Sequence, residues 1–259
     1  MSDRKRGLGG QANPEARWFG DREVEPRAKT GLVRDVFDRV AHRYDLMNDL
    51  MSGGVHRLWK DELVQAIRPR PGSTLLDVAG GTGDISLRYL DRARNAGRAI
   101  VCDINESMLR VGRDRAIDQG LVSGIEWACG NAENLPVADR SADVYTIAFG
   151  LRNVTGIDAA LAEARRVLKP GGRFYCLEFS RVTVPLLRHA YDLYSFAVIP
   201  QLGALIARDR DSYRYLVESI RRFPDQEALT RRMEQAGIEK ARYRNLSGGI
   251  AAIHSGWRL

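Results

Sequence analysis

The ten residues LLDVAGGTGD, positions 75–84, constrain the fold of this chain more than any other stretch. The apolar first half is typical of a strand buried on both faces. A second acid, Asp103, ends the next apolar run, and a carboxylate after a second strand suits hydrogen bonding to a ribose diol. The backbone can turn tightly and approach a ligand where it lacks Cβ atoms, at Gly80, Gly81 and Gly83. The run therefore predicts a parallel α/β sheet with a nucleoside-bearing cofactor at its carboxyl edge.

The polarity of this glycine loop discriminates among nucleotide cofactors. A dinucleotide fingerprint requires Gly or Ala where the chain has Ser86, and a P-loop requires a lysine that the loop lacks. Instead, Asp77 and Asp84 make the loop acidic, with no positive charge for a pyrophosphate. S-adenosylmethionine, with its ammonium and sulfonium groups, fits this polarity, whereas NAD and ATP fit poorly. The alternative is a turn that only packs a strand against a helix.

Composition sets broader limits. The 259 residues, of which 44% are hydrophobic and 28% charged, predict one globular α/β domain with extensions. The net charge of +7 suits nucleic acid or an anionic membrane surface. Because much of the excess is arginine scattered along predicted helices, it gives little support to nucleic acid as a partner, and we expect none.

Cysteine and histidine usage predicts a cytoplasmic protein without a metal site. Three cysteines without CxxC spacing indicate buried free thiols in a reducing compartment. The four histidines show no ligand spacing. The charged amino terminus lacks the apolar stretch of a secretory signal, and no segment reaches the roughly 18 apolar residues of a membrane span.

The amino-terminal part divides into a tail and a helical cover. Residues 1–28 lack periodicity and are rich in Gly, Pro, Arg and Glu, which predicts a flexible tail. A single domain should occupy 29–259, with an amino-terminal cover over 29–68 built from helices at 31–50 and 56–67. The YDLMNDLMSGG connection between these helices suits a mobile cover or, alternatively, a packed helix-to-helix link.

Strands then alternate with helices, which predicts a mostly parallel sheet covered on both faces. Lys169–Gly172 should end a helix and turn into the fifth strand, and a short loop at Ser247–Gly249 should join an antiparallel carboxyl-terminal hairpin. The predicted strands are 73–79, 98–102, 124–129, 143–149, 172–178, 238–245 and 250–257. The predicted helices are 84–95, 105–118, 157–168 and 225–236.

Residues 182–222 interrupt this alternation with the most apolar insertion in the chain. Core helices are the default interpretation of such a stripe. Its position directly after the fifth strand, at the ligand edge of the sheet, favours a helical lid that binds a lipid tail or touches a membrane. Leu193, Phe196 and Ile199 are the residues that would test this.

Several segments resemble one known family. They are 37–49 (FDRVAHRYDLMND), 51–60 (MSGGVHRLWK), 103–109 (DINESML), 131–136 (NAENLP), 149–155 (FGLRNVT) and 245–249 (NLSGG), followed by AIH at 252–254. Over about residues 30–259 the chain is similar to the ubiquinone/menaquinone biosynthesis C-methyltransferases. The resemblance implies a Rossmann-like class I methyltransferase fold with a seven-stranded sheet. It also implies S-adenosylmethionine as the donor and a polyprenylated benzoquinol or naphthoquinol as the acceptor.

The resemblance also carries over cofactor positions, onto Thr82, Asp103, Asn131 and Ala132. The family often has serine where this chain has Ala148, so a hydroxyl contact is lost although the backbone can still bind. We therefore predict a cofactor site formed by Asp77, Gly80, Gly81, Thr82, Gly83, Asp103, Ile104, Asn131, Ala132 and Ala148.

The loop after the fourth strand, Gly150–Asn153, is the predicted place of catalysis, because ligands bind outside the carboxyl ends of parallel strands. Arg152 could hold a phenolate or orient a water that takes its proton, with Asn153 beside it. The alternative is an arginine tied to a nearby carboxylate. Weaker candidates are Tyr191, Tyr194 and His254.

Two other functions compete with quinol methylation. An amino-methylating DNA enzyme would carry Asn/Asp-Pro-Pro-aromatic where this chain has FGLR, so that function is disfavoured. An inactive, cofactor-binding scaffold of a quinone-synthesis complex is suggested by Ala148 and the apolar insertion. The sequence favours the enzyme, at the inner face of a membrane, and leaves a homodimer or a larger complex open.

Overall fold

The computed structural model describes residues 18–40, 49, 52–185, 191, 194, 201 and 210–259. Two sheets are present in these residues: a two-stranded hairpin and a seven-stranded sheet. The hairpin pairs β1 (Trp18–Phe19) with β2 (Arg22–Glu23). The strands of the larger sheet are β3 (Thr74–Val78), β4 (Arg98–Asp103), β5 (Ile125–Cys129), β6 (Ala142–Ala148), β7 (Leu168–Phe179), β8 (Glu239–Leu246) and β9 (Ala251–Trp257).

The larger sheet has the order β5-β4-β3-β6-β7-β9-β8. Strands β3 to β7 are parallel to one another, and β9 runs antiparallel to both β7 and β8. This confirms the predicted mostly parallel sheet and its antiparallel closing hairpin. Because β4 and β6 lie on opposite sides of β3, the strand order reverses there, and open sheets bind ligands at the carboxyl ends beside such a reversal.

Helices cover both faces of the sheet. They are α1 (Pro26–Val40), α2 (His56–Ile67), α3 (Asp84–Arg92), α4 (Glu106–Asp118), α5 (Ile157–Val167), α6 (Arg210–Arg222) and α7 (Gln226–Gln235). Leu75 of β3 packs with α2 and α3 on one face, whereas the next residue, Leu76, packs with α5 and α7 on the other. Side chains of alternating direction on β3 therefore contribute to two cores, and each fully buried leucine contributes about 2 kcal/mol.

Local pattern located most elements closely, and α2 has the predicted bounds of 56–67. Strand β7 differs, because it begins at Leu168 and includes the predicted turn at 169–172. Gly171 does adopt a positive φ of 78°, and the register with β6 shifts between Ala142 and Val144. Backbone hydrogen bonds between Arg258, near the carboxyl terminus, and both Gly171 and Gly172 hold this segment beside the end of the chain.

The prediction of a flexible tail over 1–28 is wrong for residues 18–28, while residues 1–17 lie outside the described part. The β1–β2 hairpin packs on α6, where Phe19 stacks on Tyr215 with ring centroids 4.2 Å apart. Asp21 pairs with Arg222 at 3.0 Å, and α1 begins at Pro26 instead of residue 31. The partners of the hairpin are about 200 residues away in sequence, so a local pattern could not indicate them.

The apolar insertion is described only in part. Its last 13 residues form α6, and of positions 186–209 only 191, 194 and 201 are described. Leu193, Phe196 and Ile199 lie outside the described residues. Among the helices that are described, none is long and apolar enough to cross a membrane.

Two helical glycines give a paired test of packing behind the glycine loop. A Cβ at Gly112 in α4 would lie 2.6 Å from the Trp127 ring and 2.8 Å from the Thr82 backbone, whereas a Cβ at Gly31 in α1 would meet nothing within 4 Å. We expect Gly112→Ala to lower the free energy of unfolding by about 2 kcal/mol through overpacking. Gly31→Ala should raise it by about 0.5–1 kcal/mol through helix propensity. Urea titrations measure both, and equal effects of the same sign would contradict this packing.

Candidate active site

A cleft of about 1050 Å³, open to solvent, lies at the carboxyl ends of β3, β4, β5 and β6. It brings together nine of the ten predicted cofactor residues: Asp77, Gly80, Gly81, Thr82, Asp103, Ile104, Asn131, Ala132 and Ala148. Gly83 is not among the described residues that line it. A Cβ at Gly83 would lie 2.7 Å from the Trp127 ring, and its φ is 76°. Gly83 therefore serves the turn into α3 and its packing, and is not in contact with the cleft.

Asp103 joins the loops that follow β3 and β4. Its Oδ2 accepts a hydrogen bond from the Gly81 amide at 2.8 Å, and its Oδ1 accepts one from the Asn105 amide at 2.8 Å. Burial raises the pKa of Asp103, and these backbone donors oppose that rise. The Ile104 amide also donates to this carboxylate. The acceptor capacity that remains suits a hydroxyl group of a ribose.

Asp77 is a buried acid in the wall of the cleft. Its two oxygens accept hydrogen bonds from Ser86 Oγ at 2.9 Å and Thr146 Oγ1 at 2.8 Å. Burial is the largest influence on this group and raises its pKa from 3.8 to about 6, against the effect of the two hydroxyl donors. A bound cation would stabilise the ionised form, so Asp77 fits the cationic amino-acid end of S-adenosylmethionine.

Asp84 does not supply the free negative charge that the sequence suggested. Its Oδ2 lies 2.8 Å from Lys60 Nζ, and its Oδ1 lies 2.9 Å from Arg88 Nε. Burial acts to raise the pKa of Asp84, but the two cations together lower it below the ordinary value. The expectation of a site without positive charge is therefore wrong, because Lys60 reaches the cleft from α2, 24 residues before its partner. Only its place in the HRLWK segment could have drawn attention to it.

Helix α1 lies over the cleft and contributes Thr30, Val33, Arg34 and Phe37 to its lining, none of which the sequence had indicated as site residues. The helix is anchored on both sides. Lys29 Nζ donates to the Val154 carbonyl at 3.2 Å on the β6 side, and Asn105 Nδ2 donates to Asp38 Oδ1 at 2.8 Å on the β4 side. A helix held in this way would cover a ligand in the cleft and limit access of water to it.

Arg152 and Asn153, the predicted catalytic pair, occupy different surroundings. Asn153 lines the cleft, whereas Arg152 is not among its described lining residues. Arg152 Nη1 lies 2.7 Å from Glu178 Oε1 and 2.6 Å from the Phe149 carbonyl, and the side chain is almost completely buried. This geometry agrees with the structural alternative, an arginine tied to a carboxylate. Its partner Glu178 was not singled out in the sequence, although a lone acid in an apolar strand often indicates a buried partner.

The weaker catalytic candidates are not among the described residues that line the cleft. His254 is buried in β9, and its Nε2 lies 3.1 Å from the Gln226 carbonyl. Burial lowers the pKa of His254 to about 4, so the ring is neutral near pH 7 and donates to that carbonyl. Tyr191 and Tyr194 are not among the described residues that line the cleft.

Comparison with known proteins identifies the family. A model of the ubiE/COQ5 methyltransferase family matches residues 25–258. The chain belongs to this family. Its relatives include the ubiquinone/menaquinone biosynthesis C-methyltransferase UbiE of Acidiphilium cryptum, 60% identical over 93% of this chain and 96% of that protein. The protein of the same name from Paracoccus denitrificans is 58% identical over 95% of this chain and 98% of that protein.

Solved structures show the same fold at low sequence identity. A SAM-dependent methyltransferase from Aquifex aeolicus has a TM-score of 0.58 at 16% identity and covers 77% of this chain and 89% of its own. An N-methyltransferase of Haemonchus contortus in complex with S-adenosylhomocysteine has a TM-score of 0.60 at 15% identity and covers 83% of this chain and 46% of its own. The predicted class I methyltransferase fold is confirmed, and S-adenosylmethionine is the methyl donor of this family member.

The pKa of Asp77 leads to opposite expectations for stability and binding. The pKa of Asp77 rises from 3.8 in the unfolded chain to about 6 in the fold, so the folded protein binds more protons between those pH values. The free energy of unfolding therefore falls as pH rises through that window. Asp77→Asn should therefore raise the free energy of unfolding at pH 7 by up to about 3 kcal/mol. It should also weaken binding of S-adenosylhomocysteine.

Urea titrations at pH 4.5 and pH 7 and calorimetry measure the two effects. Asp118→Asn, at the exposed end of α4, is the control and should change neither quantity. A loss of stability in Asp77→Asn at pH 7 would show that the ionised carboxylate is not costly in the free cleft.

Proposed function

We propose that this protein transfers a methyl group from S-adenosylmethionine to a ring carbon of a polyprenylated quinol, in menaquinone biosynthesis, ubiquinone biosynthesis or both. The family match over residues 25–258 is the observation that carries this proposal. Relatives that align over more than nine-tenths of the chain are named as ubiquinone/menaquinone biosynthesis C-methyltransferases. The cleft, with its acidic residues at the strand ends and Asn153 at one side, supplies a matching site.

The chemistry requires an activated ring and a protected methyl donor. A quinol carbon is a weak nucleophile until a ring hydroxyl loses its proton, after which the phenolate pushes charge onto the adjacent carbon. When bound, S-adenosylmethionine supplies an electrophilic methyl group on a sulfonium. Charge is neutralised as the bond forms, so a site that excludes water and fixes the reacting groups favours the reaction.

The described residues would have separate roles in this reaction. Asp77 and Asp103 would hold the cofactor at the ends of β3 and β4, and α1 would exclude water above it. Asn153 would face an oxygen of the acceptor and stabilise negative charge on it. Arg152, tied to Glu178 and the Phe149 carbonyl, would hold the loop that carries Asn153. An inactive scaffold finds no support, because the relatives are named as enzymes.

Methyl transfer can be assayed directly. We expect the purified protein to convert a short-chain demethylmenaquinol or a methoxybenzoquinol to its ring-methylated product with S-adenosylmethionine. The product is detected by mass spectrometry. The oxidised quinones serve as the control and should give no product, because they cannot form the phenolate. Binding of S-adenosylhomocysteine without turnover of either quinol would instead favour the scaffold.

We further propose that the protein works at the inner face of a membrane, through the insertion at 182–222. A polyprenyl tail partitions into the bilayer, and the net charge of +7 favours an anionic lipid surface. We expect co-sedimentation with anionic vesicles and less with neutral ones. The triple variant Leu193→Ser, Phe196→Ser and Ile199→Ser should weaken sedimentation or raise KM for a long-tailed quinol. If neither changes, these three residues belong to the core.

A further inference from the structure

Tyr215 contacts Asn153 but is not among the described residues that line the cleft. It lies in α6, is 4% exposed, and its hydroxyl is 3.0 Å from Asn153 Oδ1. Asn153 itself belongs to the short turn Leu151–Asn153 that follows β6 and lines the cleft. The sequence drew attention to Tyr191 and Tyr194 in the insertion but not to Tyr215.

The neighbouring carbonyl shows which atom of the Asn153 amide faces Tyr215. The Phe149 carbonyl accepts from Arg152 Nη1 at 2.6 Å and from Asn153 Nδ2 at 3.4 Å. Only the nitrogen of an amide can donate to a carbonyl, so the amide oxygen is the atom that faces Tyr215, and Tyr215 is the donor. Within the part of the chain that the structure describes, the Asn153 side chain bonds to Tyr215 and to the Phe149 carbonyl, which leaves the second N–H of its amide for a ligand.

Two features keep Tyr215 in this role. Burial raises the pKa of Tyr215, so its hydroxyl stays protonated and can donate. The stacked ring of Phe19 holds the tyrosine ring from the other side. The hairpin that carries Phe19 is in turn fixed to α6, because the Asp21 amide donates to Glu218 Oε2 at 2.9 Å and Arg222 pairs with Asp21.

We propose that Tyr215 is a positioning residue that turns the Asn153 amide so that an N–H donor faces an oxygen of the methyl acceptor. This inference rests on the proposed function. It selects acceptors with an oxygen that gains negative charge beside the reacting carbon, as a phenolate does. An amide in the opposite orientation would present its oxygen and repel that charge.

Tyr215→Phe tests this, because it keeps the ring stack and removes only the hydroxyl. We expect an unchanged Kd for S-adenosylhomocysteine, a fall in kcat of about tenfold, as for one lost oriented hydrogen bond, and a shift of the kcat–pH profile to higher pH. The pH shift follows because a less stabilised phenolate forms at higher pH, and a loss of fold stability alone would not produce it. Tyr243→Phe is the matched control, since Tyr243 on β8 donates to the exposed Glu227 of α7.

The Asn153→Ala background shows whether Tyr215 acts through Asn153. If it does, adding Tyr215→Phe to Asn153→Ala should cause no further loss of kcat. Losses that multiply, or a single variant Tyr215→Phe with wild-type kcat and pH profile, would overturn the inference.

A binding measurement separates this inference from the proposed function. If the wild-type protein turns over no quinol, the proposed function fails, and the affinity of 1-naphthol for the protein saturated with S-adenosylhomocysteine then tests Tyr215. We expect Tyr215→Phe to weaken this binding several-fold, most strongly at high pH where the naphtholate forms. Equal affinities of Tyr215→Phe and Tyr243→Phe would overturn the inference.

Discussion

The parallel alignment of β3, β4 and β6 is the constraint on which the site depends. Val78 of β3 pairs in register with Cys102 of β4 and with Ile147 of β6, so the residues that follow these strands emerge at one edge. Asp103 then ties two of the loops together through the amides of Gly81 and Asn105. Backbone pairing and the bonds of Asp103 thus bring the loops that follow these strands together at one cleft.

The buried charged groups around this cleft differ in the partners that stabilise them. Asp84 is neutralised by Lys60 and Arg88, and the Arg152–Glu178 pair is closed within the protein. Asp77 accepts hydrogen bonds from the hydroxyls of Ser86 and Thr146 and from the Ser86 amide, all uncharged donors, and burial raises its pKa in spite of them. The free protein therefore bears a cost at Asp77 that a cationic ligand would relieve, which is typical of sites where stability is sacrificed for binding.

The parts that local pattern could predict are those that local forces determine. The bounds of α2, the strand alternation and the glycine loop all follow from periodicity and turn chemistry over fewer than fifteen residues. Lys60 in the cleft, the packing of Phe19 on Tyr215 and the Arg152–Glu178 pair depend on partners 24, 196 and 26 residues away. A window of fewer than fifteen residues cannot contain both members of such a pair. Only Glu178, an acid within the apolar YCLEF run, gave a local indication of a distant partner.

The loop after β6 has a strained backbone, and contacts from several directions hold it in place. Phe149 adopts a φ of 56° and Ala79, in the neighbouring loop, a φ of 49°, both in the left-handed region that side chains with a Cβ disfavour. A Cβ at Gly150 would lie 2.4 Å from the Ala79 Cβ, so the two loops can approach only because position 150 is glycine. Arg152 and Asn153 both donate to the Phe149 carbonyl, Glu178 holds Arg152, and Tyr215 holds Asn153. Such strain persists only where surrounding contacts determine the conformation completely. The contacts that hold this backbone are therefore the same ones that fix the orientation of the Asn153 amide beside the cleft.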